Sequence, residues 1–151
     1  MICAYDKIYL ENARNNLGIM LDYAVNVLEY ELDTFWDIFL SSDISCRFSA
    51  GDASVLVGRS GVELALEVLG ISGDYKAYVY PEFRTEEYWT GWALAYYQWT
   101  TCLTFEQITD LIKIDEIRML YSPYHEMDIR QFCDKVYDVY FERKPCTNLK
   151  S

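Results

Sequence analysis

The chain has 151 residues, the length of a single average domain. Its residues are 52% hydrophobic and 17% aromatic, a composition that favours a packed core and argues against a disordered chain. Acidic residues outnumber basic residues by 24 to 13, which gives a net charge of −11. Because phosphate groups and anionic membranes both attract basic surfaces, this charge argues against nucleic acid as a direct ligand and against a membrane.

The sequence predicts a cytoplasmic protein. The N-terminus has no basic segment followed by a long apolar run, so we expect no secretory signal. The five cysteines are scattered without a Cys-x-x-Cys pair, which predicts reduced thiols rather than a disulfide framework. An uncharged stretch from Tyr88 to Phe105 has the length of a short membrane span, but its threonine, glycine and glutamine residues favour a buried helix followed by a turn.

The first part of the chain has the periodicity of amphipathic helices. Apolar side chains recur every three or four residues over 5–28, which predicts a long first helix. A second helix is predicted over 33–40 with Asp33 as its N-cap, followed by a short helical turn over 42–48. The chain then loosens, and Ser54–Val57 is predicted to be extended.

Two capping boxes predict the start of further helices. In Ser60–Glu63 and in Thr104–Gln107, the first and last side chains are spaced so that each accepts a hydrogen bond from the backbone N–H of the other. The first of these helices is expected to end at Leu69, because Gly70 readily adopts the left-handed conformation that ends helices. The second is expected to end at Ile112.

Three more helices are predicted, over 85–101, 115–121 and 128–143. Ser122-Pro123 is expected to separate the last two, because proline interrupts helices. Residues 71–84 form the longest irregular segment. We therefore predict one all-α domain over 1–151, a compact bundle of about seven helices around the aromatic helix over 85–101, with a flexible tail from about residue 145.

The helix predicted over 85–101 carries a stripe of aromatic residues. They recur at spacings of three or four residues: Trp89, Trp92, Tyr96 and Trp99. A cage for a base, a cation or a flat cofactor is one interpretation of such a stripe. We interpret it as core, because aromatic side chains bury the largest apolar area per residue.

Arg59, Ser60 and Gly61 form a candidate anion site at the start of a helix. A helix N-terminus with a neighbouring cation attracts phosphate or carboxylate groups. The segment lacks the lysine and the glycine spacing of a phosphate-binding loop, so a purely structural N-cap is the competing interpretation.

The sequence predicts no metal site and no cofactor. His125 is the only histidine, and a zinc site would need thiolates close to it. A nucleophilic pair of His125 with Cys102 or Cys133 stays open as an alternative, although neither cysteine has a local signature of that chemistry. We therefore assign no catalytic residue.

Negative charge is concentrated in the first half of the chain. Residues 1–75 hold 12 acidic and 4 basic residues, whereas residues 76–151 hold 12 and 9. No lysine or arginine occurs from residue 15 to residue 46, and the protein-binding candidates lie within that stretch: Asp22, Glu29, Glu31, Asp33 and Asp37. Such a face attracts a basic protein surface by long-range steering, and the competing interpretation is that it only maintains solubility.

Three stretches resemble a family of small, acidic, uncharacterised bacterial proteins: Asn16–Ile44, Ser60–Leu69 and Glu87–Trp99. The most specific is the run Tyr-Trp-Thr-Gly-Trp-Ala-Leu-Ala-Tyr-Tyr-Gln-Trp from Tyr88 to Trp99. Members of this family are encoded near toxin–antitoxin-like genes, which include small ADP-ribosyltransferase-like toxins. The resemblance implies a role beside such a toxin and carries over no catalytic residues.

The leading hypothesis is a protein-binding module without enzymatic activity, an antitoxin-like partner that neutralises a bacterial toxin or enzyme through that protein's basic surface. One alternative is an acidic mimic of nucleic acid that inhibits a DNA- or RNA-binding defence protein, as anti-CRISPR proteins do. Another is a small enzyme with an aromatic-lined pocket. The sequence leaves the partner's identity and the oligomeric state open.

Overall fold

The structure is a computed structural model that describes residues 3–72, 78–79, 82 and 84–145. Within these residues it contains ten α-helices and no β-strand. The helices are α1 (Leu10–Asp22), α2 (Leu32–Ser41), α3 (Asp43–Ser49), α4 (Ala53–Leu56), α5 (Gly61–Leu69), α6 (Glu86–Thr101), α7 (Phe105–Leu111), α8 (Ile114–Met119), α9 (Tyr121–Tyr124) and α10 (Ile129–Arg143). The predicted all-α fold is confirmed. The flexible tail is predicted from about residue 145, and the residues after Pro145 lie outside the described part of the chain.

The predicted count of about seven helices is too low, because two short helices form where the sequence pattern indicates a loop or a break. α4 occupies the segment predicted to be extended, and it begins where the Asp52 carboxylate accepts hydrogen bonds from the N–H (2.9 Å) and the hydroxyl (2.8 Å) of Ser54. α9 runs through Pro123. Proline is tolerated there because the N–H groups of a helix's first turn have no acceptor within the helix.

The long first helix predicted over 5–28 is divided into three parts. A 3₁₀ turn over Lys7–Tyr9 precedes α1, and a π-helical turn over Tyr23–Val27 follows it. Glu29 then adopts a left-handed backbone conformation with φ 63°. The helix therefore ends without the glycine that usually occupies such a position.

The predicted helix starts at Ser60 and Thr104 are confirmed. Each hydroxyl accepts a hydrogen bond from the N–H three residues later, and the side chain of that later residue accepts from the N–H of the capping residue. Gly70 ends α5 with φ 68°, as predicted. At α2 the prediction is wrong by two residues, because Glu31 is the N-cap and Asp33 lies in the first turn.

Two glycines bring the backbones of α1 and α6 into direct contact. A Cβ atom on Gly91 would lie 2.5 Å from the carbonyl oxygen of Leu17, and one on Gly18 would lie 2.8 Å from the carbonyl oxygen of Tyr88. Non-bonded carbon and oxygen atoms do not pack that closely, so a larger residue at either position forces the helices apart. α1 and α6 make the most extensive helix–helix contact in the described part of the chain.

A cluster of aromatic rings holds α2 against α3 and α7. The rings of Trp36, Phe39 and Phe48 lie 5.6, 5.7 and 5.4 Å from the ring of Phe105. All four side chains are almost fully buried. Trp36 also donates its indole N–H to the Thr109 hydroxyl (3.0 Å). This cluster fixes the position of the helix that carries two of the predicted acidic residues.

The aromatic helix predicted at the centre of the bundle is α6, and part of it remains open to solvent. It contacts α1, α8, α9 and α10, and its Trp89 and Trp99 are buried. Trp92 and Tyr96 are only partly buried. The predicted central aromatic helix is therefore matched only in part.

No helix in the described ranges is both long and apolar enough to cross a membrane. The uncharged stretch from Tyr88 to Phe105 instead forms most of α6, the turn after it and the first residue of α7. This agrees with the predicted buried helix followed by a turn.

We predict that Gly91→Ala destabilises the protein by about 1–3 kcal/mol, because the new methyl group collides with the backbone of α1. Alanine in place of glycine inside a helix is otherwise stabilising by about 1 kcal/mol, so the sign of the effect identifies the collision. Urea unfolding of the variant measures it. At Gly70 a Cβ atom meets nothing within 4 Å, and Gly70→Ala should show only the backbone cost of its positive φ, about 1–2 kcal/mol.

Candidate functional site

Four of the five predicted acidic residues are exposed between the end of α1 and the middle of α2. We call this surface the acidic face: Glu29, Glu31, Asp33 and Asp37. Among the residues that the structure describes, no arginine or lysine forms a salt bridge with Glu31, Asp33 or Asp37. Within the described residues, no salt bridge therefore neutralises these three carboxylates.

A cleft of about 210 Å3 opens beside the acidic face. Asp33 and Asp37 of α2 line it, together with Asp115 of α8, and Trp36 contributes an aromatic ring to the lining. Lys113 lies in the same lining and offsets part of the negative charge. A concave site with carboxylates from two helices matches the chemistry of an arginine or lysine side chain.

Asp22, the fifth predicted residue, is not part of this surface. Its side chain is 3% exposed, and its carboxylate accepts hydrogen bonds from the hydroxyls of Thr85 (2.6 Å) and Tyr78 (2.7 Å) and from the amide of Asn26 (2.8 Å). The prediction of Asp22 as a binding residue is therefore wrong. Its role is to hold the segment before α6 against the end of α1.

Asn26 extends this network towards two other helices. Its amide also donates to the Glu87 carboxylate (2.9 Å), and the second oxygen of Glu87 pairs with Arg118 (3.1 Å). Arg118 in turn pairs with Asp115 (3.1 Å), which lines the cleft beside the acidic face. This chain of contacts is not predictable from the sequence, since Asn26 and Glu87 lie 61 residues apart and share no motif.

The aromatic stripe divides between core and surface. Trp89 and Trp99 are 5% and 7% exposed, as the interpretation as core requires. Trp92 and Tyr96 are partly exposed, and the guanidinium carbon of Arg14 lies 3.5 Å and 4.8 Å from their ring centres. The interpretation of the whole stripe as core is thus corrected, because a cation occupies the space beside two of its rings.

Arg14 is itself buried, with 7% of its surface exposed. Burial lowers the pKa of its guanidinium, while Glu11, 3.6 Å away, favours the charged form. Its Nε donates to the Trp92 carbonyl oxygen (3.2 Å). The aromatic rings and this hydrogen bond compensate part of the cost of removing the guanidinium from water.

The candidate anion site is occupied by the protein's own groups. Arg59 pairs with Glu67 (2.7 Å), and the Glu63 carboxylate accepts from the N–H of Ser60. A Cβ atom on Gly61 would lie 2.5 Å from the Ile19 side chain, which shows how little space remains at this helix start. The structure therefore supports the N-cap interpretation and not an anion site.

The pairing of His125 with Cys133 finds no support in the geometry. His125 contacts the Tyr121 carbonyl oxygen through Nδ1 (2.8 Å), and no hydrogen bond joins it to Cys133 within the described residues. Burial raises the pKa of the Cys133 thiol to about 12, the opposite of what a nucleophilic cysteine requires. In the same part of the chain, no three histidine, cysteine or acidic side chains are grouped to hold a metal ion.

Comparison of the chain with protein-family models, with curated proteins and with solved structures finds no match. The site is therefore interpreted from its own geometry and charge.

We predict that Asp22→Ala destabilises the protein by about 1.5–3 kcal/mol, because it removes the acceptor shared by Asn26, Tyr78 and Thr85. Asp37→Ala, which removes an exposed carboxylate, should change the free energy of unfolding by less than about 0.5 kcal/mol. Equal effects of the two substitutions in thermal and urea unfolding would contradict the structural role of Asp22.

We predict that iodoacetamide labels Cys46 and Cys102 in the native protein well before Cys133. Cys46 and Cys102 are exposed, whereas Cys133 is partly buried and its raised pKa leaves almost no thiolate at neutral pH. Mass spectrometry of tryptic peptides at increasing reaction times provides the rates. Labelling of Cys133 as fast as Cys46 would contradict its described environment, and labelling in urea provides the reference for equal access.

Proposed function

We propose that this chain is a non-enzymatic protein-binding module whose acidic face docks on a basic surface of another protein. The observation that carries the proposal is the distribution of ion pairs. Six arginines pair with carboxylates in the described part of the chain, namely Arg14, Arg47, Arg59, Arg118, Arg130 and Arg143. None of these pairs involves Glu31, Asp33 or Asp37, so the field of the acidic face extends into solvent.

The cleft beside the acidic face provides the site for an anchoring side chain. An arginine of the partner fits between the carboxylates of Asp33, Asp37 and Asp115, which provide acceptors for its guanidinium N–H groups. Interfaces of this kind gain affinity mainly from a few buried aromatic and arginine anchors, whereas charges at the rim increase the association rate. The acidic face and the cleft thus have complementary roles in the proposed docking.

The proposed partner is a toxin or a toxin-like enzyme that the chain neutralises. This part of the proposal rests on the resemblance of Asn16–Ile44, Ser60–Leu69 and Glu87–Trp99 to proteins encoded beside toxin genes. The acidic composition is consistent with it, because the basic surface of a cationic enzyme is blocked efficiently by an acidic partner.

The nucleic-acid-mimic alternative has less support. A mimic of a phosphate backbone needs rows of carboxylates, whereas the acidic residues outside the acidic face are interleaved with arginines, as in the pairs of Arg47 with Asp43 and Asp52. The alternative of a small enzyme has an aromatic-lined pocket in its favour, but this pocket is lined by Arg84 and His125 rather than by carboxylates.

Reversal of three charges on the acidic face tests the proposed docking. We expect Glu31→Lys, Asp33→Lys and Asp37→Lys together to abolish capture of a stoichiometric partner from the native host's lysate at low salt, the condition under which electrostatic docking is strongest. The same changes should cost only a few tenths of a kcal/mol per residue in stability, because exposed charges contribute little. Thermal unfolding separates loss of binding from loss of folding.

A matched control is available on α10. Asp134→Lys, Asp138→Lys and Glu142→Lys change the net charge by the same amount at three exposed positions of another helix. This control should retain the partner that wild type captures. If the acidic-face variant captures the partner as well as wild type does, docking through this face is wrong. If both variants lose it equally, only the total charge matters, and the face has no specific role.

A further inference from the structure

A second concave site, which shares no lining residue with the acidic cleft, lies between α6 and α9. It has a volume of about 350 Å3 and is lined by Arg84, Tyr88, Trp89, Trp92, Tyr121 and His125. This volume is at the lower end of the range of about 300–1,000 Å3 that is typical of small-molecule sites. We propose that the pocket binds a small planar aromatic molecule that carries a carboxylate or phosphate group.

The walls of the pocket are rings held in fixed orientations. The Tyr121 ring lies edge-on to Trp89, with ring centres 5.8 Å apart, and Trp89 is fixed from within the core by Phe132 at 5.1 Å. The His125 ring is stacked on Tyr121 at 4.1 Å with only 13° between their planes. Flat, rigid surfaces of this kind bind flat ligands by stacking and lose little conformational entropy in doing so.

Arg84 supplies the positive charge of the pocket. Its guanidinium carbon lies 4.7 Å from the ring centre of Tyr88 and 5.8 Å from that of Trp92. It is the only arginine of the chain that forms no salt bridge within the described residues. In a protein of net charge −11, a cation without a carboxylate partner, placed in an aromatic pocket, is a binding group for an external anion.

The indole N–H groups lead to the same conclusion. Trp36 and Trp99 donate to Thr109 (3.0 Å) and to the Tyr5 carbonyl oxygen (2.7 Å). Trp89 and Trp92, the two tryptophans of the pocket, have no acceptor for the indole N–H among the described residues. Only 5% of Trp89 is exposed, but its indole nitrogen is not completely buried. Both N–H groups therefore retain a hydrogen bond that an acceptor atom outside the described residues could accept.

Two further contacts organise the pocket before any ligand arrives. The Arg14 guanidinium stacks on Trp92 at 3.5 Å and donates to the carbonyl oxygen of the same residue, which fixes this part of the wall. Nδ1 of His125 is held by the Tyr121 carbonyl oxygen, and Nε2 is 3.8 Å from the carboxylate of Glu126, which lies outside the lining. A site that is already organised binds with a smaller entropic cost.

Isothermal titration calorimetry with four probes tests the proposal on the full chain. The probes are adenosine 5′-monophosphate, indole-3-acetate, adenosine and inorganic phosphate. We expect saturable binding at one site for at least one of the two aromatic anions. Adenosine lacks the anionic group and inorganic phosphate lacks the aromatic ring, so each should bind at least about tenfold more weakly. Binding of only one aromatic anion would show which combination of ring and charged group the pocket accepts.

Substitution of Arg84 locates the binding. Arg84→Gln should weaken binding of the aromatic anion at least about tenfold, and Arg84→Lys should restore part of it, because the charge returns without the planar guanidinium. Lys7→Gln removes the same charge from the exposed 3₁₀ turn and should bind as wild type does. Melting curves of all three variants establish that they are folded.

Several results would overturn the proposal. These are an absence of binding by both aromatic anions, equal binding of adenosine and adenosine 5′-monophosphate, and full affinity in folded Arg84→Gln. None of them concerns the acidic face, which the charge-reversal experiment tests separately.

Discussion

The direct contact between the backbones of α1 and α6 determines where the functional side chains lie. Gly18 and Gly91 allow the two helices to approach until backbone meets backbone, and this fixes their antiparallel register. In that register Arg14 reaches Trp92 near one end of the contact, and Asp22 reaches Thr85 near the other. The close approach of the two helices therefore places Arg14 against the wall of the aromatic pocket. It also places Asp22 where it binds the segment before α6.

The fold separates two surfaces of opposite character. Glu31, Asp33 and Asp37 of the acidic face form no salt bridge within the residues described, and neither does Arg84 of the aromatic pocket. Elsewhere the arginines are paired, and exposed pairs of this kind contribute little to stability. The unpaired groups are therefore the more informative part of the charge distribution, because they are the ones that remain available to other molecules.

Local signals in the sequence predict the helices well and the environment of single side chains poorly. The starts at Ser60 and Thr104 are predictable because a capping box is complete within four residues. The burial of Asp22 is not predictable in this way, because two of the residues that donate hydrogen bonds to it lie 56 and 63 positions away in the chain. Nor does helical spacing reveal that Trp92 is partly exposed, because the position of Arg14 beside it depends on how two distant helices pack.

The π-helical turn over Tyr23–Val27 has a consequence for how this molecule tolerates insertions and deletions. A π turn contains one residue more than an α turn, so a helix end can accommodate a single extra residue in this form. Loss of one residue there would restore α-helical geometry and shift the helical phase of the residues directly after it by about 100°. Because the aromatic cluster holds α2 in place, the connection over 28–31 would absorb this shift, and Asp33 and Asp37 would keep their direction.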